Sequence, residues 1–179
     1  MRLEQAEDIM EEQRRQQFET LLQSHQAIVF KVANTYCRHA EDRRDLVQEI
    51  SVQLWRAFPR YDEKRLFSTW MYRIALNVAI SFARRAGYRQ MQSLPENDSV
   101  AGPGDVPPAA PELEDQVAAL HSFIDRLDGL NRALLLLYLE ERSYRDIAEV
   151  LGISETNVAT KISRLKQRIR KDFTDTNTR

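Results

Sequence analysis

The sequence has little cysteine, little glycine and almost no proline outside one stretch. Of its 179 residues, one is cysteine and five are glycine. A single thiol, Cys37, excludes an internal disulfide and a multi-cysteine zinc site. It stands beside Val32, Ala33 and Tyr36, which marks it as a buried thiol. His25 and His39 have no partner at metal-ligand spacing and read as surface or helix-end residues, so no metal is expected. No apolar run is long enough to cross a bilayer and no signal peptide opens the chain, so a cytoplasmic protein is expected. Glycine-rich phosphate loops and nucleophile–base signatures are also missing. The expectation is a protein with no catalytic residues, no cofactor and no small-molecule substrate.

What is present is helical periodicity. Long stretches repeat apolar residues at three- and four-residue steps, so the fold class is all-α. The net charge of −1 does not advertise nucleic acid, but its distribution is uneven. Residues 60–92 hold seven basic and two acidic side chains, 93–116 hold none and six, and 117–179 hold eleven and nine. Residues 93–116 also carry five of the six prolines, and no periodicity survives there. That stretch reads as a flexible, acidic, proline-rich linker. The expected organisation is two small helical domains, 1–92 and 117–179, joined by the linker 93–116.

Residues 1–12 are acid-rich and receive no function. Two short apolar faces follow, one over Gln13–Gln23 and one over His25–His39. Residues Ala40–Phe58 place Leu46, Ile50, Leu54 and Phe58 on one side. Asp45, Gln48, Glu49, Val52 and Arg56 form a second stripe, which periodicity alone leaves open as either a solvated or a docking face. Pro59 stops this helix, because it lacks an N–H and clashes with the preceding turn. After a polar loop, Phe67–Arg85 has an expected buried stripe of Phe67, Trp70, Met71, Ile74, Ala75, Val78 and Phe82. Tyr72, Arg73, Asn77, Ser81, Arg84 and Arg85 lie mainly off it. Trp70 is assigned to core packing, although aromatic and basic residues on one helix can also hold unstacked bases. Gly87 is expected to end the segment. In the second domain, Val117–Leu127 is amphipathic, Asp128-Gly129 reads as a break, and Leu130–Glu140 as the central helix.

Residues Ser143–Lys171 read as a helix-turn-helix. Ser143 is placed to cap a first helix, with Asp146 three residues on. Tyr144, Ile147, Ala148 and Leu151 share one face. Gly152 supplies a left-handed break, and Ser154 can cap a second helix. There Val158, Ile162, Leu165 and Ile169 repeat at four, three and four residues. From Thr156 to Lys171 there are six basic residues and no acidic one. Such a helix can present cationic and hydrogen-bonding groups to a DNA major groove.

Four segments together resemble the sigma-70 family of bacterial sigma factors, and within it the two-domain extracytoplasmic-function (ECF) group. Asp45-Leu46-Val47-Gln48-Glu49 with Trp55-Arg56 is similar to the family's region 2.2. Phe67 through Ala75, with Asn77, is similar to regions 2.3 and 2.4. Leu130–Tyr138 and Tyr144–Arg170 are similar to regions 4.1 and 4.2. The resemblance implies an alternative sigma factor that binds core RNA polymerase and promoter DNA. Asp45, Gln48, Glu49, Val52 and Arg56 would face the clamp helices of the β′ subunit, and the second domain the flap of the β subunit. Arg60, Lys64, Arg65, Tyr72, Arg73, Asn77, Arg84 and Arg85 would contact the minus-ten element, with Asn77 at a flipped-base pocket. Ser154, Thr156, Asn157, Thr160, Lys161, Arg164 and Arg168 would contact the minus-thirty-five element. An anti-sigma factor, often membrane-bound in this group, is the expected regulator. Ser81 stands where the family often has Asp, and Ala159 where it often has Arg or Lys. The alternatives are a stand-alone helix-turn-helix regulator and an enzyme using the Asp45 and Glu49 carboxylates.

Overall fold

The computed structural model describes residues 2–92, 119–120 and 122–176; side chains are described over 9–86, 119–120 and 122–172. The linker assigned above lies outside the described residues. Helix α1 spans Arg2–Tyr36, α2 Ala40–Ala57, α3 Phe67–Gln92, α4 Gly129–Leu139, α5 Tyr144–Leu151 and α6 Glu155–Thr176. A 3₁₀ turn, Phe58–Arg60, carries Pro59 directly after α2. Among the described residues there is no strand.

The two short faces expected before His39 form one helix. Phe18, Ile28, Val29, Val32, Ala33 and Tyr36 are buried, while Leu21 and Leu22 pack against them. The gap in that apolar series is His25. It is half-buried, with its ring edge-on to Phe67 at 5.2 Å and its Nδ1 2.9 Å from the Leu21 carbonyl. A histidine thus fills a helix position that a hydropathy pattern leaves empty. Residues 2–36 contain no proline or glycine to interrupt the helix.

Helices α1, α2 and α3 pack into one bundle. Leu46, Ile50 and Leu54 of α2 are fully buried in it, each stabilising by about 1.5–3 kcal/mol relative to exposure. Phe58, Tyr61, Phe67 and Trp70 make a chain of ring contacts with centroids 5.1–6.5 Å apart that closes the end of the bundle. Gly87 does not end α3, which continues to Gln92. A helical glycine costs only about 1 kcal/mol relative to alanine, too little to force a stop.

A second bundle contains α4, α5 and α6. Its core holds Phe123, Leu127, Leu134, Leu137, Ile147, Val150, Val158, Ile162 and Leu165. The break expected at Asp128-Gly129 is present: residues 126–128 leave the helix, and Asp128 caps the start of α4, its carboxylate accepting from the Asn131 amide at 2.9 Å. The Arg132 guanidinium donates to the carbonyls of Ile124, Asp125 and Leu127 at 2.8–3.2 Å. Those carbonyls lie at the end of the preceding helical turn, where helix geometry leaves carbonyls short of partners; Ile124 O also accepts from Leu127 N at 3.0 Å. After α4, Arg142 N donates to Leu137 O at 3.1 Å, and Glu141 takes a left-handed φ of 57°.

The bundles touch. Helix α3 packs on α4 and α5, and α1 packs on α4. This docking changes which face of α3 is covered. The buried residues are Phe67, Thr69, Met71, Tyr72, Ala75, Leu76 and Ala79, whereas Trp70, Ile74, Val78 and Phe82 of the expected stripe are only half-buried.

Candidate nucleic-acid interface

The helix-turn-helix is fixed by three local devices. Ser143 Oγ accepts from the Asp146 amide at 3.1 Å and donates to the Asp146 carboxylate at 2.7 Å. Gly152 ends α5 with φ 68°, and its N–H donates to Ala148 O at 2.9 Å. Ser154 Oγ accepts from the Asn157 amide at 3.2 Å. These satisfy amides and carbonyls that helix ends otherwise leave unpaired. On α5 the buried pair is Ile147 and Val150, while Tyr144, expected on the apolar face, is exposed. On α6 the apolar stripe buries Val158, Ile162 and Leu165 and half-buries Ile169.

That stripe leaves Thr156, Asn157, Thr160, Arg164 and Arg168 exposed and Lys161 half-exposed on the other faces of α6. Two of the predicted contacts are already engaged: Ser154 by its cap, and Thr160 Oγ1 by the Thr156 carbonyl at 2.9 Å. Arg168 lies 5.9 Å from the Phe123 ring centre, and Lys166 4.6 Å over Tyr138. These two cations anchor α6 on its bundle, since a cation over an aromatic face is held by the ring quadrupole. Asn157, Lys161 and Arg164 remain as groups suited to base edges and phosphates.

A second surface lies on α3. A cleft of about 270 Å³ is lined by Arg65, Thr69, Trp70, Arg73, Ile74, Asn77 and Glu149. Two guanidiniums, an aromatic ring and a carboxamide therefore converge in one concavity. Trp70, assigned to the core from its spacing, both packs on Phe67 and Tyr61 and lines this cleft. Arg60, Lys64 and Arg84 are exposed around the bundle. Tyr72 is not available as a contact. It is 1% exposed, with its hydroxyl 3.5 Å from Glu140 Oε2 and the Arg142 guanidinium 5.2 Å from its ring centre. Burial pushes its phenol pKa up, and the Glu140 carboxylate adds to the shift. Its expected exposure fails because α3 is covered on a side that its own periodicity does not reveal.

The second stripe of α2 is solvent-facing. Asp45, Gln48, Val52 and Arg56 are exposed, and Glu49 is half-exposed. Glu49 accepts two hydrogen bonds from Arg85 Nη2, at 2.7 and 2.9 Å. Arg85, predicted to hold phosphate, is thus joined to a residue predicted to meet a protein. Glu140 and Glu149 were missed by sequence reading. Both are ordinary helix-end or surface acids in their own segments, and only the docking of the bundles gives them a role.

Two family descriptions match in order: Sigma-70 region 2 over residues 21–89 and Sigma-70 region 4 over residues 118–169. The chain is 28% identical over 155 residues to the ECF RNA polymerase sigma factor SigE of Mycolicibacterium smegmatis, with 86% of this chain and 60% of that protein covered. It is 29% identical over 163 residues to the RNA polymerase sigma-H factor of Pseudomonas aeruginosa, covering 86% and 84%. Two solved structures share the fold. CnrH in complex with the cytosolic domain of CnrY gives a TM-score of 0.63 at 22% identity, over 88% of this chain and 87% of that one. RpoE in complex with the anti-sigma factor NepR, from Bartonella quintana, gives 0.62 at 19%, over 89% and 96%.

Proposed function

The chain belongs to the sigma-70 family, in its ECF group, and from that premise we propose that it is an alternative sigma factor directing core RNA polymerase to particular promoters. What supports this reading is that the two family-matched segments each carry a surface of cationic and hydrogen-bonding side chains, one concave and one on an exposed helix face. The cleft with Trp70, Asn77, Arg65 and Arg73 suits an unstacked base and its phosphates,. The exposed face of α6, with Asn157 and Arg164, suits duplex DNA in the major groove,. The first would engage the minus-ten element and help open it; the second would read the minus-thirty-five element.

In this reading Asp45, Gln48, Val52 and Arg56 dock on the polymerase clamp, and Glu49 joins them once Arg85 turns to phosphate. Residues 1–92 and 117–179 act as separate functional units with 93–116 between them. Members of the family are regulatory subunits, so no residue receives a catalytic role. Among the described residues no helix is long and apolar enough to cross a membrane, and the proposed place of work is the cytoplasm. An anti-sigma factor is the proposed regulator, in keeping with the similar fold seen bound to NepR.

The test is run-off transcription from genomic promoters with purified core polymerase. Defined start sites that depend on this chain are the expected result. If the chain binds promoter DNA but never core polymerase, the stand-alone regulator replaces the sigma reading.

A further inference from the structure

The loop between α2 and α3 is solvent-exposed over residues 62–66, yet hydrogen bonds hold it in one shape. The Tyr61 hydroxyl donates to the Arg65 carbonyl at 2.6 Å. Within that span the Arg65 N–H donates to the Asp62 carbonyl at 2.9 Å, and the Lys64 N–H to Asp62 Oδ1 at 3.0 Å. The Tyr61 ring is itself fixed, with its centre 5.1–6.0 Å from those of Phe58, Phe67 and Trp70. Burial, then the Glu63 and Asp62 carboxylates, push its phenol pKa up, so the hydroxyl keeps the proton it donates. A further tie comes from α1, where Gln17 Nε2 donates to Glu63 Oε1 at 2.9 Å. Gln17 stands 46 residues before its partner and ahead of the family-matched residues 21–89.

This loop ends at the α3 cleft. Of the side chains that line the cleft, Arg65 is the one carried by a loop, and the others stand on helices. Helical geometry keeps those in place, whereas the position of Arg65 depends on how the loop is held. Tyr61 meets the site at two points: its hydroxyl holds the Arg65 backbone, and its ring lies 5.1 Å from that of Trp70. We propose that Tyr61 is a positioning residue for strand capture, its hydroxyl fixing Arg65 at the cleft before DNA arrives, with Gln17 steadying the same loop through Glu63. The proposal rests on the minus-ten reading of the cleft. Neither Tyr61 nor Gln17 lines the cleft, so both act through Arg65.

The physical gain is preorganisation. A loop that orders only when its ligand arrives subtracts the lost backbone entropy from the affinity, and a loop already ordered does not. A held frame also sharpens the choice of base. A loop free to shift can repack around a wrong base, whereas a fixed guanidinium fits one arrangement of base and phosphate better than others. The Tyr61 and Gln17 hydrogen bonds lie at half-buried and exposed positions, where a single bond contributes modestly to global stability. Their loss is therefore expected to change the strand contact more than the fold.

The test uses the full-length chain assembled with core RNA polymerase and a pair of single strands. One carries the minus-ten element mapped by run-off transcription, and the other is the same strand with the bases of that element substituted. Tyr61→Phe keeps the ring and deletes the donor; Gln17→Ala frees Glu63. Fluorescence anisotropy should show Y61F binding the mapped strand about threefold to tenfold more weakly than the parent, the scale of one hydrogen bond. The substituted strand should change little, so discrimination narrows. Gln17→Ala should move both quantities in the same direction by about twofold. An equal fall for both strands would mark Tyr61 as structural only and overturn the positioning role, as would parent-level affinity and discrimination in Y61F. Parent-level values in Q17A alone would remove α1 from the proposal. Arg65→Ala and Asn77→Ala separate this failure from that of the minus-ten reading. If they weaken binding of the mapped strand and Y61F does not, only the positioning role is lost; if none of these variants weakens it, the minus-ten reading falls as well.

Discussion

Helices α3 and α6 are both long, both carry an apolar stripe and both hold basic residues off it. They differ in how much of their environment is local. For α6, the stripe at four, three and four residues supplies the buried Val158, Ile162 and Leu165 and the half-buried Ile169, and most of the other described side chains are exposed. For α3, a second bundle docks on a side that its own spacing leaves polar, burying Tyr72 and turning Trp70 toward a cleft. A helix capped and packed within one short segment reveals its working face in sequence. A helix covered from two directions does not.

The comparison can be tested first through the cores. Leu134→Ala removes a fully buried side chain of the second bundle, and a loss of about 2–5 kcal/mol is expected there. Both tryptophans, Trp55 and Trp70, lie in the first bundle. Tryptophan fluorescence should therefore report a smaller shift than circular dichroism, which also records the loss in the second bundle. A matching shift in both signals would mean that the bundles unfold as one unit.

Next, Lys161→Ala and Arg164→Ala should each weaken duplex binding to a mapped upstream element by about 1–3 kcal/mol if the contact is bidentate. Unchanged affinity and salt slope in both would move the reading surface off α6. A smaller effect belongs to the turn. Gly152→Ala has open space around its new Cβ, so only the left-handed backbone opposes it, at about 1–2 kcal/mol, measurable by urea denaturation. Smallest is Glu141→Gly, which relieves a non-glycine residue at φ 57°. It should stabilise by about 0.5–1 kcal/mol; a destabilised variant would show that the Glu141 side chain contributes more than its backbone costs.

These particulars explain what the sequence made legible. Ser143, Gly152 and Ser154 act within four residues of themselves, so caps and turn were readable, as was the buried stripe of α6. The all-α class and the two-part organisation followed from periodicity. His25 hid the unity of α1 because a histidine does not register as apolar, although its ring packs on Phe67. Tyr72, Glu140 and Glu149 were opaque because their roles come from contacts 68 to 109 residues apart along the chain. No local pattern encodes a pairing at that separation.

The lone thiol has a kinetic use. Cys37 follows the last turn of α1, is 6% exposed, and has its pKa pushed by burial from 9.0 up to about 11. Thiol reagents attack the thiolate, the form that burial disfavours here,. Alkylation of the folded chain must wait for the surroundings of Cys37 to open, so the labelling rate measures how often they do. The unmodified protein therefore carries its own clock for local opening at the foot of α1.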